Sequence, residues 1–322
     1  MGKNIDNYGR TIDYLRISVT DKCNLRCSYC MPEEGVCKKA HTQMLRNEEM
    51  LEIVKVAALE GVKKIRLTGG EPLVRKGIVD LIRGINEVVG IEDICMTTNG
   101  ILLNNQAMAL KEAGLRRLNI SLDTLDRDKY KEITRGGSLD EALAGIHAAI
   151  EAGIRPIKVN TVLIGGFNDN EVMDFMKFAS TYDLEWRMIE LMPIGEVSQW
   201  SSEHFVNGQQ LLASIPNLTS VVDTSTRRVK KYYHSELDIT IGLIDAISGS
   251  FCDSCNRLRL TSDGKIKPCL HSDIEHDVIP YLGNPVKLRA FYRSCVLDKP
   301  KEHHLNDDDY EPIMRNMNRI GG

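Results

Sequence analysis

The 322-residue sequence has no apolar run approaching the roughly 20 residues that a membrane-spanning helix needs. Met1–Arg10 lacks the apolar stretch and small-residue cleavage site of a secretory leader, so a cytoplasmic protein is expected. Aromatic residues are scarce, at 6%, and neither charge dominates: 41 Lys plus Arg stand against 45 Asp plus Glu, a formal net charge of −4. That balance argues against coating nucleic acid, so any basic binding site must be local. The 25 glycines and 10 prolines are scattered, which excludes collagen-like and low-complexity architectures. With 42% hydrophobic and 27% charged residues, the chain has the make-up of a globular protein with one large core and a smaller attached module.

From about Tyr14 to Met192 one unit recurs: an amphipathic helical stretch stops at Gly or Asp, and a short β-rich run follows. The stops are Gly61, Gly90, Gly114, Gly153 and Asp183, residues that tolerate the left-handed cap at a helix end. Strands are predicted at 14–20, 64–68, 93–97, 117–121, 156–163 and 185–191. Helices are predicted between them at 47–60, 77–88, 107–113, 139–152 and 170–182. Six alternations imply right-handed crossovers and a parallel sheet, an incomplete (βα)6 TIM-type barrel.

Alternation within the strands adds a second expectation. Leu15, Ile17 and Val19 share one face, and Arg16, Ser18 and Thr20 the other; Ile65 and Leu67 oppose Arg66 and Thr68, and Ile157 and Val159 oppose Lys158 and Asn160. With the apolar face against the helices, the inner face is polar and cationic, unlike the branched apolar interior of a closed eight-stranded barrel. Arg16, Arg66 and Lys158 are therefore expected to face water or an anionic ligand; the alternative is charges paired at strand ends. After Met192 the alternation fades. A short helix near 209–215, strands near 230–233 and 239–243, and a hairpin turning at Asp263-Gly264 suggest a smaller α+β module closing one side of the barrel.

Nine cysteines in a reducing compartment call for roles as ligands, nucleophiles or core. Cys23, Cys27 and Cys30 form a C-x3-C-x2-C run just after the first predicted strand. Three soft thiolates in one loop suit a metal or iron-sulfur centre, and no fourth Cys or His lies in the run to complete a structural zinc site. Cys252, Cys255 and Cys269 form a second triad, C-x2-C-x13-C. On spacing alone, a small zinc ribbon with His271 as fourth ligand fits it equally well. Cys95 and Cys295 read as buried thiols and Cys37 as a loop thiol without a role; His303-His304 and Asp307–Asp309 read as solvated surface.

The Cys23–Cys30 run, with Tyr29 as its aromatic, and the Gly69-Gly70-Glu71-Pro72 loop after the second strand resemble the radical S-adenosylmethionine superfamily. The stretch from Phe251 through Cys252, Cys255, Arg257 and Arg259 to Gly264 resembles the molybdenum-cofactor biosynthesis GTP 3',8-cyclases. So do Ile65–Pro72, Thr97–Gly100, Asn119–Asp123, Lys158–Asn160 and the terminal Ile320-Gly321-Gly322. Together these cover nearly the whole chain in order.

The resemblance implies two 4Fe-4S clusters, one on Cys23, Cys27 and Cys30, the other on Cys252, Cys255 and Cys269, each with one iron lacking a protein ligand. It implies that S-adenosylmethionine binds the first open iron, with Tyr29, Gly70, Ser121 and Met192 as further contacts. GTP would meet Arg16, Arg66, Thr97, Lys158, Arg257 and Arg259, and its purine the second cluster. Reductive cleavage of S-adenosylmethionine would give a 5'-deoxyadenosyl radical that takes the 3' hydrogen of GTP; the sugar radical then attacks C8, giving 3',8-cyclo-7,8-dihydro-GTP. Gly321 and Gly322 would reach into the active site and support catalysis. The implied division is residues 1–230 for the partial barrel and 231–322 for the cluster-binding module and Gly-Gly tail. Implied partners are an external electron donor and a downstream cyclic pyranopterin monophosphate synthase, with neither nucleic acid nor membrane; a homodimer is compatible. The alternatives are another two-cluster radical enzyme acting on a peptide, and a non-catalytic zinc protein.

Overall fold

Gly61, Gly90, Gly114, Gly153 and Asp183 all take positive φ, between 52° and 109°; the helices end within two residues of Gly61, Gly114, Gly153 and Asp183, and at Asn86, four residues before Gly90. The computed structural model describes residues 4–35, 43–222, 229–249, 251–303, 313 and 315–321. Its centre is six strands in sequential order: β1 (Tyr14–Ser18), β2 (Lys64–Thr68), β3 (Asp93–Thr98), β4 (Arg117–Ser121), β5 (Ile157–Leu163) and β6 (Glu185–Glu190). Each pairs in parallel with the next. Helices Asn47–Glu60, Ile78–Asn86, Ala107–Glu112, Leu139–Glu151 and Val172–Thr181 lie between them, within two residues of the expected bounds. Leu15, Ile17, Ile65, Leu67, Leu118 and Ile120 are fully buried in the core shared with the helices, which leaves the opposite strand face to the lumen.

The later part of the chain does more than close one side. β7 (Leu218–Val221), β8 (Lys230–His234) and β9 (Ile239–Ile244) extend the sheet beyond β6, whereas β10 (Arg257–Leu260), β11 (Lys265–Lys267) and β12 (His276–Asp277) extend it beyond β1. β9 runs parallel to β6 and β10 parallel to β1, giving eight adjacent parallel strands with an antiparallel hairpin at each flank. The expectation of closure on one side is thus corrected: local turn signals could not show that consecutive strands of the module join opposite edges. Helix Pro285–Leu297, absent from the sequence reading, packs on helix Asn47–Glu60, where Glu60 receives hydrogen bonds from Arg289 and, at 2.6 Å, from Arg293. Among the described residues no helix is long and apolar enough to cross a membrane.

Candidate active site

One cavity of about 700 Å3 occupies the lumen, and both cysteine triads line it. They lie at opposite ends of the parallel strands. Cys23, Cys27 and Cys30 follow the C-terminal end of β1, whereas Cys252 and Cys255 immediately precede β10, which starts level with the beginning of β1 through the pair Tyr14 and Arg257. Lys and Arg outnumber Asp and Glu on the cavity wall nine to two, although the chain as a whole is slightly acidic. The local basic site that composition allowed is here.

The first triad is held by the turn after β2. Gly70 N–H donates to the Thr20 carbonyl and Glu71 N–H to the Lys22 carbonyl, both at 2.8 Å. A Cβ on Gly70 would run into the Lys22 carbonyl, so the chain's own cysteine loop makes the close approach that requires glycine there. Cys30 N–H closes a tight turn on the Cys27 carbonyl at 2.9 Å. Burial raises all three thiols, Cys23 to about 11 and Cys30 to about 12; Asp123 and then the other two thiols push Cys27 up further, Cys23 and Asp123 do so for Cys30, and Glu71 for Cys23. Three thiols held up in this way can all ionise only against a positive centre, so this donor set fits an iron-sulfur cluster.

Around it, Tyr29 Oη donates to Asp123 Oδ2 at 2.7 Å, and Val162 N–H donates to Asp123 Oδ1 at 2.9 Å. Burial lifts Asp123 to about 6 and Glu71 to about 7; Glu71 accepts from Leu73 N–H, Thr98 Oγ1 and Asn99 N–H. Ser121 and Met192 line the same end of the cavity wall as expected contacts.

In the second triad Cys255 has the opposite electrostatics. Burial alone would raise Cys255, but the charges of Arg257 and Lys299 outweigh it and bring the thiol down to about 6. His271 lines the cavity, lowered to about 3 by burial and then by His303 and the arginines, and its Nδ1 is a buried polar atom facing no protein partner. Among the described residues no three His, Cys, Asp or Glu side chains converge closely enough to hold one metal ion. Three soft thiols with cationic neighbours are a donor set that a four-iron cluster accepts. His303, expected on solvated surface, instead lines the cavity with its ring 5.2 Å from that of His271. Cys37, His304, Asp307–Asp309 and Gly322 lie outside the described residues.

Between the triads, the register sets Arg259, Arg16 and Arg66 side by side on β10, β1 and β2, with Arg257 two residues before Arg259. Arg66 Nε donates to Cys95 Sγ at 3.3 Å and its guanidinium stacks over Tyr14; Arg257 stacks over Phe251. Burial and then Arg257 lower Arg259 to about 9; burial and then Arg259 and Arg66 lower Arg16 well below its ordinary value. A polyanion would relieve this crowding and accept paired donors from the guanidinium groups. Lys158 lines the cavity and is also paired, as the alternative of charges paired at strand ends foresaw. Its Nζ lies 2.6 Å from Glu185 Oε2, which Arg187 also meets, so it belongs to a charge-paired group at the start of β5 and β6. Thr97 Oγ1 and Asn160 Oδ1 are buried without a protein partner on the same wall.

The C-terminal segment enters from behind. Helix Met317–Ile320 leads to Gly321, whose carbonyl accepts from Arg259 Nη1 at 2.6 Å; Asn318 Nδ2 donates to the Asp21 carbonyl at 3.0 Å. Gly321 has φ +73°, and a Cβ there would collide with Thr68 Oγ1. Every other described residue singled out from sequence as a ligand or contact is on the cavity wall. Sequence reasoning missed Arg117, Arg187, Asn318 and Lys299; Arg187 and Arg117 follow the same strand alternation and were legible by it.

A partial barrel with three cysteines after its first strand is the arrangement of radical S-adenosylmethionine enzymes, and residues 17–179 match the Radical SAM superfamily. The fold is similar to that of S-adenosylmethionine-bound SuiB from Streptococcus suis, with TM-score 0.63 and 15% identity, covering 89% of this chain and 69% of SuiB. Residues 184–305 match Molybdenum Cofactor Synthesis C. The GTP 3',8-cyclase of Alkaliphilus oremlandii (strain OhILAs) is 50% identical over 98% of this chain and 99% of its own length. That of Peptoclostridium acidaminophilum is 48% identical over 99% of this chain and 98% of its own. The chain belongs to the GTP 3',8-cyclase family of the radical S-adenosylmethionine superfamily.

Proposed function

We infer that this enzyme converts GTP to 3',8-cyclo-7,8-dihydro-GTP, the first step of molybdenum cofactor biosynthesis, with two 4Fe-4S clusters and S-adenosylmethionine as cofactors. The observation that carries the reading is a single cationic cavity with a thiol triad at each end. A cofactor on the first triad and a nucleotide near the second would share that lumen.

Cys23, Cys27 and Cys30 would hold the first cluster, which when reduced supplies the electron that breaks a carbon–sulfur bond of S-adenosylmethionine. Tyr29, fixed by Asp123, shapes that end of the site, and Gly70, Ser121 and Met192 bound the space beside it. Arg16, Arg66, Arg257 and Arg259 present fixed positive charge to a triphosphate. Thr97, with its buried free hydroxyl, and Lys158 extend this wall. Cys252, Cys255 and Cys269 would hold the second cluster, against which the purine would lie.

The supply of electrons from an external donor, passage of the product to a downstream cyclic pyranopterin monophosphate synthase, homodimerisation, the division of the chain at 230/231 and a cytoplasmic location belong to the same reading. Anoxic incubation with reductant, S-adenosylmethionine and GTP tests it: equimolar 5'-deoxyadenosine and cyclised nucleotide are expected. Cleavage of S-adenosylmethionine that is indifferent to GTP, with no cyclised product, would refute it.

A further inference from the structure

Two buried cations outside the nucleotide-facing group converge on the second triad. Lys299, only 3% exposed, follows helix Pro285–Leu297, and its Nζ donates to the Arg257 carbonyl at 2.9 Å and the Pro268 carbonyl at 2.7 Å. One acceptor lies two residues after Cys255 and the other one residue before Cys269. A single ammonium thus bridges the two chain segments that carry the triad, and it faces the sulfurs of Cys255 and Cys269. Arg10, in the N-terminal loop, holds the next two residues in place, donating to the carbonyls of Pro300 at 2.6 Å and Lys301 at 2.8 Å. The same guanidinium donates to the carbonyl of Cys252 itself at 2.9 Å, and its Nε is paired with Asp6 at 2.6 Å.

A buried ammonium costs several kcal/mol unless its charge is matched, and carbonyl oxygens match it only in part. Thiolates at Cys255 and Cys269 would complete the match. Resting on the two-cluster reading above, we propose that Lys299, locked by Arg10, is a positioning residue for the second cluster. It fixes the separation between the Cys252–Cys255 turn and Cys269, and it sets a positive charge beside their sulfurs. Added negative charge on a reduced cluster is stabilised by that charge, so its reduction potential is raised. At the first triad Arg135 Nη1 likewise donates to the Arg26 carbonyl at 3.2 Å and the Met31 carbonyl at 3.0 Å, but burial and the carboxylates Asp123 and Glu71 raise its thiols, so the charge beside the sulfurs is of opposite sign.

The test is an anoxic redox titration of the reconstituted full-length protein, followed by electron paramagnetic resonance, with iron counted in parallel. In Lys299→Met the second-cluster signal should move to more negative potential, or vanish with iron falling from about eight to about four per chain. The first-cluster signal and S-adenosylmethionine binding should stay as in the wild type. Lys299→Arg, which keeps the charge, should return the potential toward the wild-type value. Unchanged potential and iron in Lys299→Met would overturn the proposal, as would equal loss of both signals in a chain whose circular dichroism shows it folded. Should that variant not fold, Arg10→Met is read in the same way: selective loss at the second site supports the clamp, and wild-type behaviour overturns it. A wild-type chain with one four-iron signal would overturn the two-cluster reading itself.

Discussion

Arg259 Nη1 donates to the carbonyl of Gly321 at 2.6 Å, joining the lumen wall to the end of the described chain. Arg259 is buried and crowded by Arg257, which lowers it to about 9, so its remaining donors are directed at whatever anion enters. Under the proposed function, one guanidinium would read both the tail and the nucleotide.

The tail should be sensitive to a single methyl group. At φ +73° a non-glycine residue costs about 1–2 kcal/mol. The collision with Thr68 Oγ1 adds to that cost. Gly321→Ala is expected to lower cyclised product at least tenfold while iron content and S-adenosylmethionine affinity hold, measured by chromatography and calorimetry. Full product yield would remove the tail from the active site.

Removing one thiol should separate the two ends of the lumen. In Cys27→Ala, 5'-deoxyadenosine release should be abolished and iron should fall from about eight to about four per chain. Undiminished release would reject the ligand assignment of the first triad.

Arg257→Ala should weaken GTP binding by roughly ten- to hundredfold, the loss of one charge-assisted interaction of about 1.5–3 kcal/mol. Binding of S-adenosylmethionine should not change, because Arg257 lies at the far end of β10 from the first triad. Isothermal titration with each ligand distinguishes the two sites; a change confined to S-adenosylmethionine would invert the map.

The metal-free thiols should titrate apart. Cys255, lowered to about 6, should alkylate at near-maximal rate by pH 7, while Cys23 and Cys30, raised to about 11 and 12, should remain slow until well above pH 9. Mass spectrometry after timed iodoacetamide exposure reads each cysteine. Equal rates at pH 7 would contradict the electrostatic contrast between the triads.

The central strands were legible because β2 to β6 each begin after a left-handed cap and the strands alternate apolar with polar residues, two local signals that agree. The cationic wall followed from that alternation. Helix Pro285–Leu297 escaped despite its own start signal, Asn284 capping Lys287 N–H with Pro285 next to it, because no apolar stripe as regular as those of the barrel helices follows. Placement of β9 and β10 on opposite edges was not legible, since the pairs Arg187 with Gly242 and Tyr14 with Arg257 are far apart in the chain and leave no local trace. The pairing of Lys158 with Glu185 depends on the register of two strands for the same reason. Arg10 and Lys299 sit in loops, where a basic residue looks like solvated surface until its carbonyl partners are known.

Both neighbours of the six-strand array come from residues 239–260. A nascent chain leaving the ribosome therefore carries two bare ladders of peptide groups until three-quarters of its length has been made. Premature termination before that point would release a fragment able to stick to its own copies along either margin, so both margins are covered only after Leu260 has been made.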